Sequence, residues 1–151
     1  MQLEEALRRA MSDIKVMSLD DYFLASCFSI TEEGKPITEW TLLFYNPKTK
    51  KTRDCFVNDK FVTLDDETEA QKEMTELGKE LPKIHVEEAI KIAQKKYAKK
   101  TINILISLHT IEKLAWAITM IGADITATTF EIDAKTGHIL KEDTTSLMKR
   151  L

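Results

Sequence analysis

Few side chains of this 151-residue chain have a type and spacing suited to chemistry. The three histidines, His85, His109 and His138, lie far apart, and no cysteine or histidine stands at the spacing of metal ligands. His138 follows a predicted turn, where we expect it to face solvent. The sequence therefore gives no positive indication of a metal site.

The two cysteines are predicted to be reduced thiols in the core. Cys27 and Cys55 fall on the first and third strands of a predicted meander. Strands one apart lie roughly 9–10 Å from each other, which is beyond disulfide reach. Neither cysteine has a histidine nearby in sequence, so a catalytic thiol has no support.

The carboxylates do not indicate catalysis either. Glu4-Glu5 and Glu87-Glu88 open predicted helices, where acidic side chains complement the helix dipole. A paired-carboxylate hydrolase would need buried acids, and Glu131 is the one candidate within a strand. With four glycines, the chain has no glycine-rich phosphate loop. We therefore expect no catalytic residues, no cofactor and no enzymatic activity, so that function depends on shape and surface.

Composition limits the partners. The net charge of -3 and the pI near 5.7 argue against nucleic-acid binding, which usually needs a basic face. No apolar run approaches the roughly 20 residues that span a bilayer, and the acidic, amphipathic N-terminus does not look like a signal peptide. We expect a protein or peptide partner and no membrane span, and we leave a homodimer open. The predicted location is cytoplasmic as the chain is written, or extracytoplasmic if a leader has been removed.

Hydrophobic periodicity places helices and strands in the same order twice. Helices are predicted over 2–13 and from Val86. The strands and extended runs that follow them lie at 22–30, 37–45, 52–57, 102–108, 114–121, 125–133 and 138–142. A narrow apolar stripe ahead of Pro82 predicts an inserted helix over 65–81, and a short helical tail is expected over 144–151.

Three short segments recur in the same order, which indicates two copies of one unit. Residues 3–7, 14–19 and 43–49 return, at offsets of 83 to about 88, as residues 86–90, 102–108 and 130–136. The predicted fold class is α+β, with two repeated units that each place a helix before an antiparallel meander. The predicted parts are 1–59, a linker helix at 60–83, and 84–151, in one compact body. We expect one continuous sheet with the helices on one side.

The strand at 114–121 has one bulky face and one small face. The bulky face should pack on the helix, and we expect Trp116, like Trp40, to be buried. The small-residue face is the candidate binding surface, because it can approach a partner, a ligand or another sheet closely. Its residues are Ala115, Ala117, Thr119, Ala127 and Thr129. Packing against the other unit is the alternative use of this face.

The second unit resembles the PepSY domain. Its helix begins Val-Glu-Glu-Ala-Ile, and its last hairpin carries the residues that match the turn of that family, which are Asp133, Ala134, Thr136 and Gly137. Residues 85–143 fit well, whereas 2–58 fit less well because the turn at 46–50 has no glycine. The resemblance implies a half-cystatin-like fold without catalysis, in a mostly extracytoplasmic family thought to bind or restrain peptidases.

These observations lead to one functional hypothesis and two alternatives. The first is a non-catalytic binding or regulatory protein that holds a peptide or protein, with a peptidase among the candidates, through a sheet face or edge. The second is a cytosolic chaperone for a secreted protein. The third is a small-ligand binder that uses a pocket between sheet and helix.

Overall fold

The computed structural model describes the backbone of residues 1–150 and the side chains of residues 1–148. Within these residues the protein is α+β and its strands pair antiparallel, as predicted. The helices are α1 (Leu3–Met11), α2 (Ile14–Met17) and α3 (Val86–Lys96). The strands are β1 (Phe23–Glu32), β2 (Glu39–Asn46), β3 (Lys51–Asn58), β4 (Val62–Leu64), β5 (Thr68–Glu69), β6 (Thr101–Thr110), β7 (Leu114–Gly122), β8 (Thr126–Asp133) and β9 (Ile139–Ser146).

The chain divides into two compact units, residues 1–29 with 37–81 and residues 30–36 with 82–151. Each unit contains a helix followed by an antiparallel meander, which confirms the predicted architecture of the units. The predicted parts at 1–59, 60–83 and 84–151, and the joining of the two sheets, stay predictions.

The first unit orders its strands β4-β3-β2-β1, and β5 also pairs with β3. Helix α1 packs on β2 and β3 and buries Leu3, Ala6 and Ala10. On β2 the helix-facing side chains are Trp40, Leu42 and Phe44, all buried. The predicted helix at 2–13 ends at Met11, because the Asp13 carboxylate accepts the N–H groups of Lys15 and Val16 and caps a new short helix, α2.

The second unit orders its strands β6-β7-β8-β9, and α3 packs on β7. The helix buries Val86, Ala89 and Ala93, three positions that lie 83 residues after the buried positions of α1. The facing core comes from alternate residues of three strands, which are Ile104, Ile106, Leu108, Trp116, Ile118, Met120, Phe130 and Ile132. This alternation confirms the predicted bulky face of the strand at 114–121.

A tryptophan ties the second strand of each meander to the start of the helix. The Trp40 indole N–H donates to the Met1 carbonyl at 3.0 Å, and the Trp116 indole N–H donates to the Ile84 carbonyl at 2.8 Å. Each carbonyl lies two residues before the first residue of its helix. Both tryptophans are 1% exposed, which confirms their predicted burial.

The middle match of the predicted repeat does not hold in the structure. Residues 14–17 form α2, whereas 102–108 lie in β6. The third match falls on turns at different places, because 46–50 joins the second and third strands of its unit and 133–137 joins the third and fourth. Similar turn chemistry, rather than the same place in the unit, accounts for that match.

The predicted inserted helix at 65–81 is wrong. This segment contains the short strand β5 and is otherwise without regular structure. The Ala70 N–H donates to the Lys50 carbonyl and the Leu77 N–H donates to the Leu24 carbonyl, each at 3.0 Å. These non-local bonds hold the backbone in a non-helical conformation, and a narrow apolar stripe stabilises an isolated helix too weakly to compete.

The predicted helical tail at 144–151 is also corrected. Residues 144–146 complete β9, and a 3-10 turn follows at Leu147–Arg150. Residues 144–145 pair with β8, so the strand continues to Ser146 where the sequence pattern suggested a helix. Leu151 lies outside the described residues.

The two cysteines are free and fully buried, as predicted. Cys27 and Cys55 flank Leu42, which pairs with Cys27 on one side and Cys55 on the other. Burial raises the pKa of Cys27 to about 12 and, with a smaller contribution from Asp13, that of Cys55 to about 11. Both thiols are therefore protonated at neutral pH and make poor nucleophiles.

We expect Trp116→Ala to lower the free energy of unfolding by about 3–5 kcal/mol, because it removes a large buried side chain. Trp40→Ala should behave in the same way in the first unit. Urea denaturation followed by circular dichroism measures both. Phe61→Ala, at a side chain 54% exposed, is the control and should change stability little. A loss below about 1 kcal/mol for Trp116→Ala would contradict its place in the core.

We expect neither thiol of the native protein to react readily with Ellman's reagent at neutral pH, because both are buried and protonated. In guanidinium chloride, two thiols per chain should react at once. Absorbance at 412 nm follows the reaction, and Cys27→Ala should leave one thiol in the unfolded chain. Rapid reaction of the native protein would show that the strands around Leu42 open readily.

Candidate functional site

The candidate binding residues come together on the face of the second unit's sheet that is opposite α3, here called the outer face. Strand register places Thr119 beside Thr129, and their hydroxyl oxygens lie 2.8 Å apart. In the next rows Ala117 pairs with Glu131, and Ile121 with Ala127. Four of the five predicted residues keep partial exposure, whereas Ala115 is only 5% exposed.

The two flanking strands widen the outer face. On β6, Leu105, Ser107 and His109 pair with Thr119, Ala117 and Ala115. On β9, Asp143 pairs with Thr129 and Lys141 with Glu131. Sequence reasoning did not include these residues. Alternation along 102–108 could have found Leu105 and Ser107, but the place of His109 depends on the register between β6 and β7.

A shallow pocket of about 360 Å³ lies at one end of the outer face. It combines apolar and charged side chains, which are His109, Ile111, Glu112, Lys113, Ala115, Glu131 and Leu140. His109 Nε2 lies 3.8 Å from Glu131 Oε1, and Lys113 Nζ lies 3.5 Å from Asp133 Oδ2. Such a pocket can receive a side chain of a partner by apolar contact and by charge.

The turn motif closes the β8–β9 hairpin beside this pocket. Asp133 Oδ1 accepts the N–H groups of Lys135 and Thr136 at 2.8 and 3.4 Å, and the Gly137 N–H donates to the Asp133 carbonyl at 2.8 Å. The Lys135 N–H, assisted by Thr136 and Lys113 and opposed by desolvation, lowers the pKa of Asp133. Gly137 has φ +81°, the left-handed conformation predicted for it.

The same turn structure occurs in the first unit without glycine. The Asn46 side chain accepts the N–H groups of Lys48 and Thr49, and Lys50 has φ +58°. The hydrogen bonds of the Asn46 side chain are local and hold the hairpin, whereas the Lys50 carbonyl accepts the Ala70 N–H from outside the turn.

The other residues considered for chemistry stay separate. His138 is exposed beyond the turn, as predicted. Over the described residues, the side chains of histidine, cysteine, aspartate and glutamate form no group of three able to hold a metal ion. In the same part of the chain, no helix is long and apolar enough to cross a membrane.

The fold and the turn define the second unit as a helix-plus-meander domain with a D-A-x-T-G hairpin. Residues 83–143 match the family model described as peptidase propeptide and YPEB domain, so this unit contains a PepSY domain. The match confirms the resemblance at 85–143.

A solved structure extends the similarity of fold to nearly the whole chain. It is that of a putative lipoprotein from Clostridium difficile 630, with a TM-score of 0.66 and 15% sequence identity. The alignment covers 96% of this chain and 93% of that chain, and at this identity it shows the fold alone. No curated protein matches the sequence significantly.

We expect Gly137→Val to destabilise the protein by about 1–2 kcal/mol or more, because a β-branched residue reaches positive φ only with strain. A new Cβ would also lie 3.2 Å from Ile92 Cδ1. Lys50→Gly, at the matching residue of the other turn, should be neutral or mildly stabilising. Thermal unfolding measures both, and an unchanged melting temperature for Gly137→Val would contradict this account of the turn.

Proposed function

We propose that the protein is a non-catalytic binding module that holds a peptide or a protein through the outer face of its PepSY domain. The observation that carries this proposal is the contrast between the two faces of the second sheet. One face is buried under α3, and the other presents half-exposed small side chains in register across β7 and β8.

The small side chains favour a protein or peptide partner. Alanine and threonine let a partner's backbone come into van der Waals contact with the sheet, and they lose little side-chain entropy when covered. The pocket around His109 and Glu131 adds a polar feature at one end, which would give orientation and specificity. The description of the matched family makes a peptidase a candidate partner.

The face is a better candidate than the edge of the same sheet. The last strand in the order of the second unit is β9, and it carries Lys141, Glu142 and Asp143 in succession, all exposed. Charges on an edge strand oppose the addition of a further strand. The centre of the outer face, by contrast, has uncharged side chains at Ala117, Thr119 and Thr129.

We propose further that the first unit is a second, more divergent PepSY-like copy. Its support is the shared order of helix and meander, the shared burial pattern of α1 and α3, and the two equivalent tryptophan hydrogen bonds. Binding is assigned to the second unit, to which the family match is limited.

We expect the immobilised full chain to retain a specific protein from an extract of its source cells, and Ala117→Arg to abolish the retention. The added side chain would hold a partner away from the sheet and place an unpaired charge in the interface. Quantitative mass spectrometry of the eluates compares the variants. Purified partner and chain should then give a measurable Kd by calorimetry.

Thr63→Arg is the control, because it adds the same charge to an exposed strand residue of the first unit. It should retain the partner at the level of the original chain, and circular dichroism should show that both variants fold. Equal retention by Ala117→Arg and the original chain would contradict binding through the outer face.

A further inference from the structure

The tryptophan hydrogen bonds define equivalent positions in the two units. Leu43 lies three residues after Trp40 on β2, and Thr119 lies three residues after Trp116 on β7. The third strands follow the same count. Trp40 pairs with Val57 and Trp116 with Ile132, and five residues before these partners stand Thr52 and Ala127. Leu43 and Thr52 therefore correspond to Thr119 and Ala127, which are part of the outer face.

The first unit covers these positions with a segment of its own chain, residues 68–77, here called the strap. At its start the hydroxyl groups of Thr68 and Thr52 lie 3.0 Å apart. The strap then bonds to β3 through the Ala70 N–H and the Lys50 carbonyl, and to β1 through the Leu77 N–H and the Leu24 carbonyl. Between these two bonds it passes from β3 to β1, with bends at Gln71 and Lys72 and no regular structure from Glu73 to Leu77.

The strap lies on the face of the first sheet that is opposite α1. Leu43 and Thr52 alternate with the helix-facing residues of their strands, and together with Ala70, Met74 and others they line a cavity of about 460 Å³. Although it faces away from the helix, Thr52 is only 6% exposed. Of the strap residues from Ala70 on, Ala70, Met74 and Leu77 are half-buried and the others are exposed.

The strap is held by few strong interactions. Beyond the pairing of β5 with β3, the described residues of the strap show two backbone hydrogen bonds, the hydroxyl contact of Thr68 and one exposed ion pair, between Lys50 and Glu73 at 3.6 Å. Such a pair contributes little in water. Partial burial of the apolar side chains Ala70, Met74 and Leu77, three to four residues apart, is therefore a main part of what keeps the strap in place.

The second unit leaves the equivalent surface accessible. Ala127 and its neighbour Ile121 keep intermediate exposure, whereas their counterparts Thr52 and Tyr45 are buried. Thr119, like its counterpart Leu43, is half-buried. Thr119 is smaller than its counterpart Leu43, and Ala127 is smaller than its counterpart Thr52, so the space above the sheet is larger in the second unit. A side chain as large as that of Met74, which lines the cavity with Leu43 and Thr52, therefore has room there.

We propose that the outer face binds a non-helical segment of a partner protein that passes over β8, β7 and β6 as the strap passes from β3 to β1. The segment is anchored by large apolar side chains three to four residues apart, above Thr119 and Ala127. This inference rests on the proposed function and specifies the chemistry and conformation of its partner.

The test uses a phage library of linear peptides of about 12 residues, slightly longer than the strap and long enough to pass over three strands. Selection on the full chain should enrich peptides with large apolar residues at spacings of three or four. Thr119→Arg should raise the Kd of a synthetic enriched peptide about ten-fold or more, measured by fluorescence anisotropy, because it fills the site and buries a charge. Thr129→Lys is a second variant at the same place, and Thr63→Arg is the control that should leave the Kd unchanged.

The outcomes separate this inference from the proposed function. Enriched peptides that bind equally well to Thr119→Arg and Thr129→Lys would overturn it. It would also be overturned if the chain retained a protein in a manner sensitive to Ala117→Arg but bound no linear peptide, since the partner would then dock as a folded surface and the proposed function would stand. Failure of both peptide enrichment and protein retention would overturn the two together.

Discussion

Both units depend on one hydrogen bond, from a buried indole to the carbonyl just ahead of a helix. A buried indole N–H needs an acceptor, and the carbonyl two residues before each helix is available for it. The carbonyls of Gln2 and His85 accept the first helical bonds, from Ala6 and Ala89, so the carbonyls one residue earlier take no part in the helix ladder. Each tryptophan uses that carbonyl and so fixes where its helix begins against the second strand.

The tryptophan hydrogen bond also determines which side chains of the helix face the sheet. Once the first turn is fixed, the positions three and seven residues after the first helical residue face the sheet. In both helices these buried positions are alanines, which are Ala6 and Ala10 in α1 and Ala89 and Ala93 in α3. Alanine lets the helix backbone approach the strands closely, which leaves room for the bulky strand residues around the two tryptophans. The helix thus closes one face of each meander, and the use of the other face can vary. In the first unit the strap lies over part of this face, and in the second unit the face stays accessible.

Much of this arrangement could be predicted from sequence, because strong periodicity dominates where burial is one-sided. The strand predicted at 114–121 is Leu114–Gly122, the second helix begins at the predicted Val86, and the five candidate residues of the outer face do lie together. The helix predicted at 65–81 was wrong for a physical reason. Ala70, Met74 and Leu77 have helical spacing, yet they are half-buried in the non-helical strap. The hydrogen bonds of the strap go to Lys50 and Leu24, which are far away in sequence. Likewise, His109 joins Glu131 only through strand register, which the pattern of one strand does not contain.

The repeat shows why local sequence similarity and structural equivalence can separate. The turns at 46–50 and 133–137 share an Asx-type acceptor and a left-handed residue, because any tight hairpin of this length benefits from them. That chemistry can occur at any hairpin of a meander, and here it occurs one hairpin earlier in the first unit. The tryptophan bond, in contrast, requires a helix start and a second strand to meet, so it marks a position in the fold. The family match covers the glycine turn after the third strand of the second unit. At the same place in the first unit, Asn58 accepts the N–H groups of Lys60 and Phe61 as Asp133 accepts those of Lys135 and Thr136, but the turn has no glycine. The anchor is therefore the basis on which the two units should be compared, and it aligns the buried Thr52 of the first unit with the half-exposed Ala127 of the second.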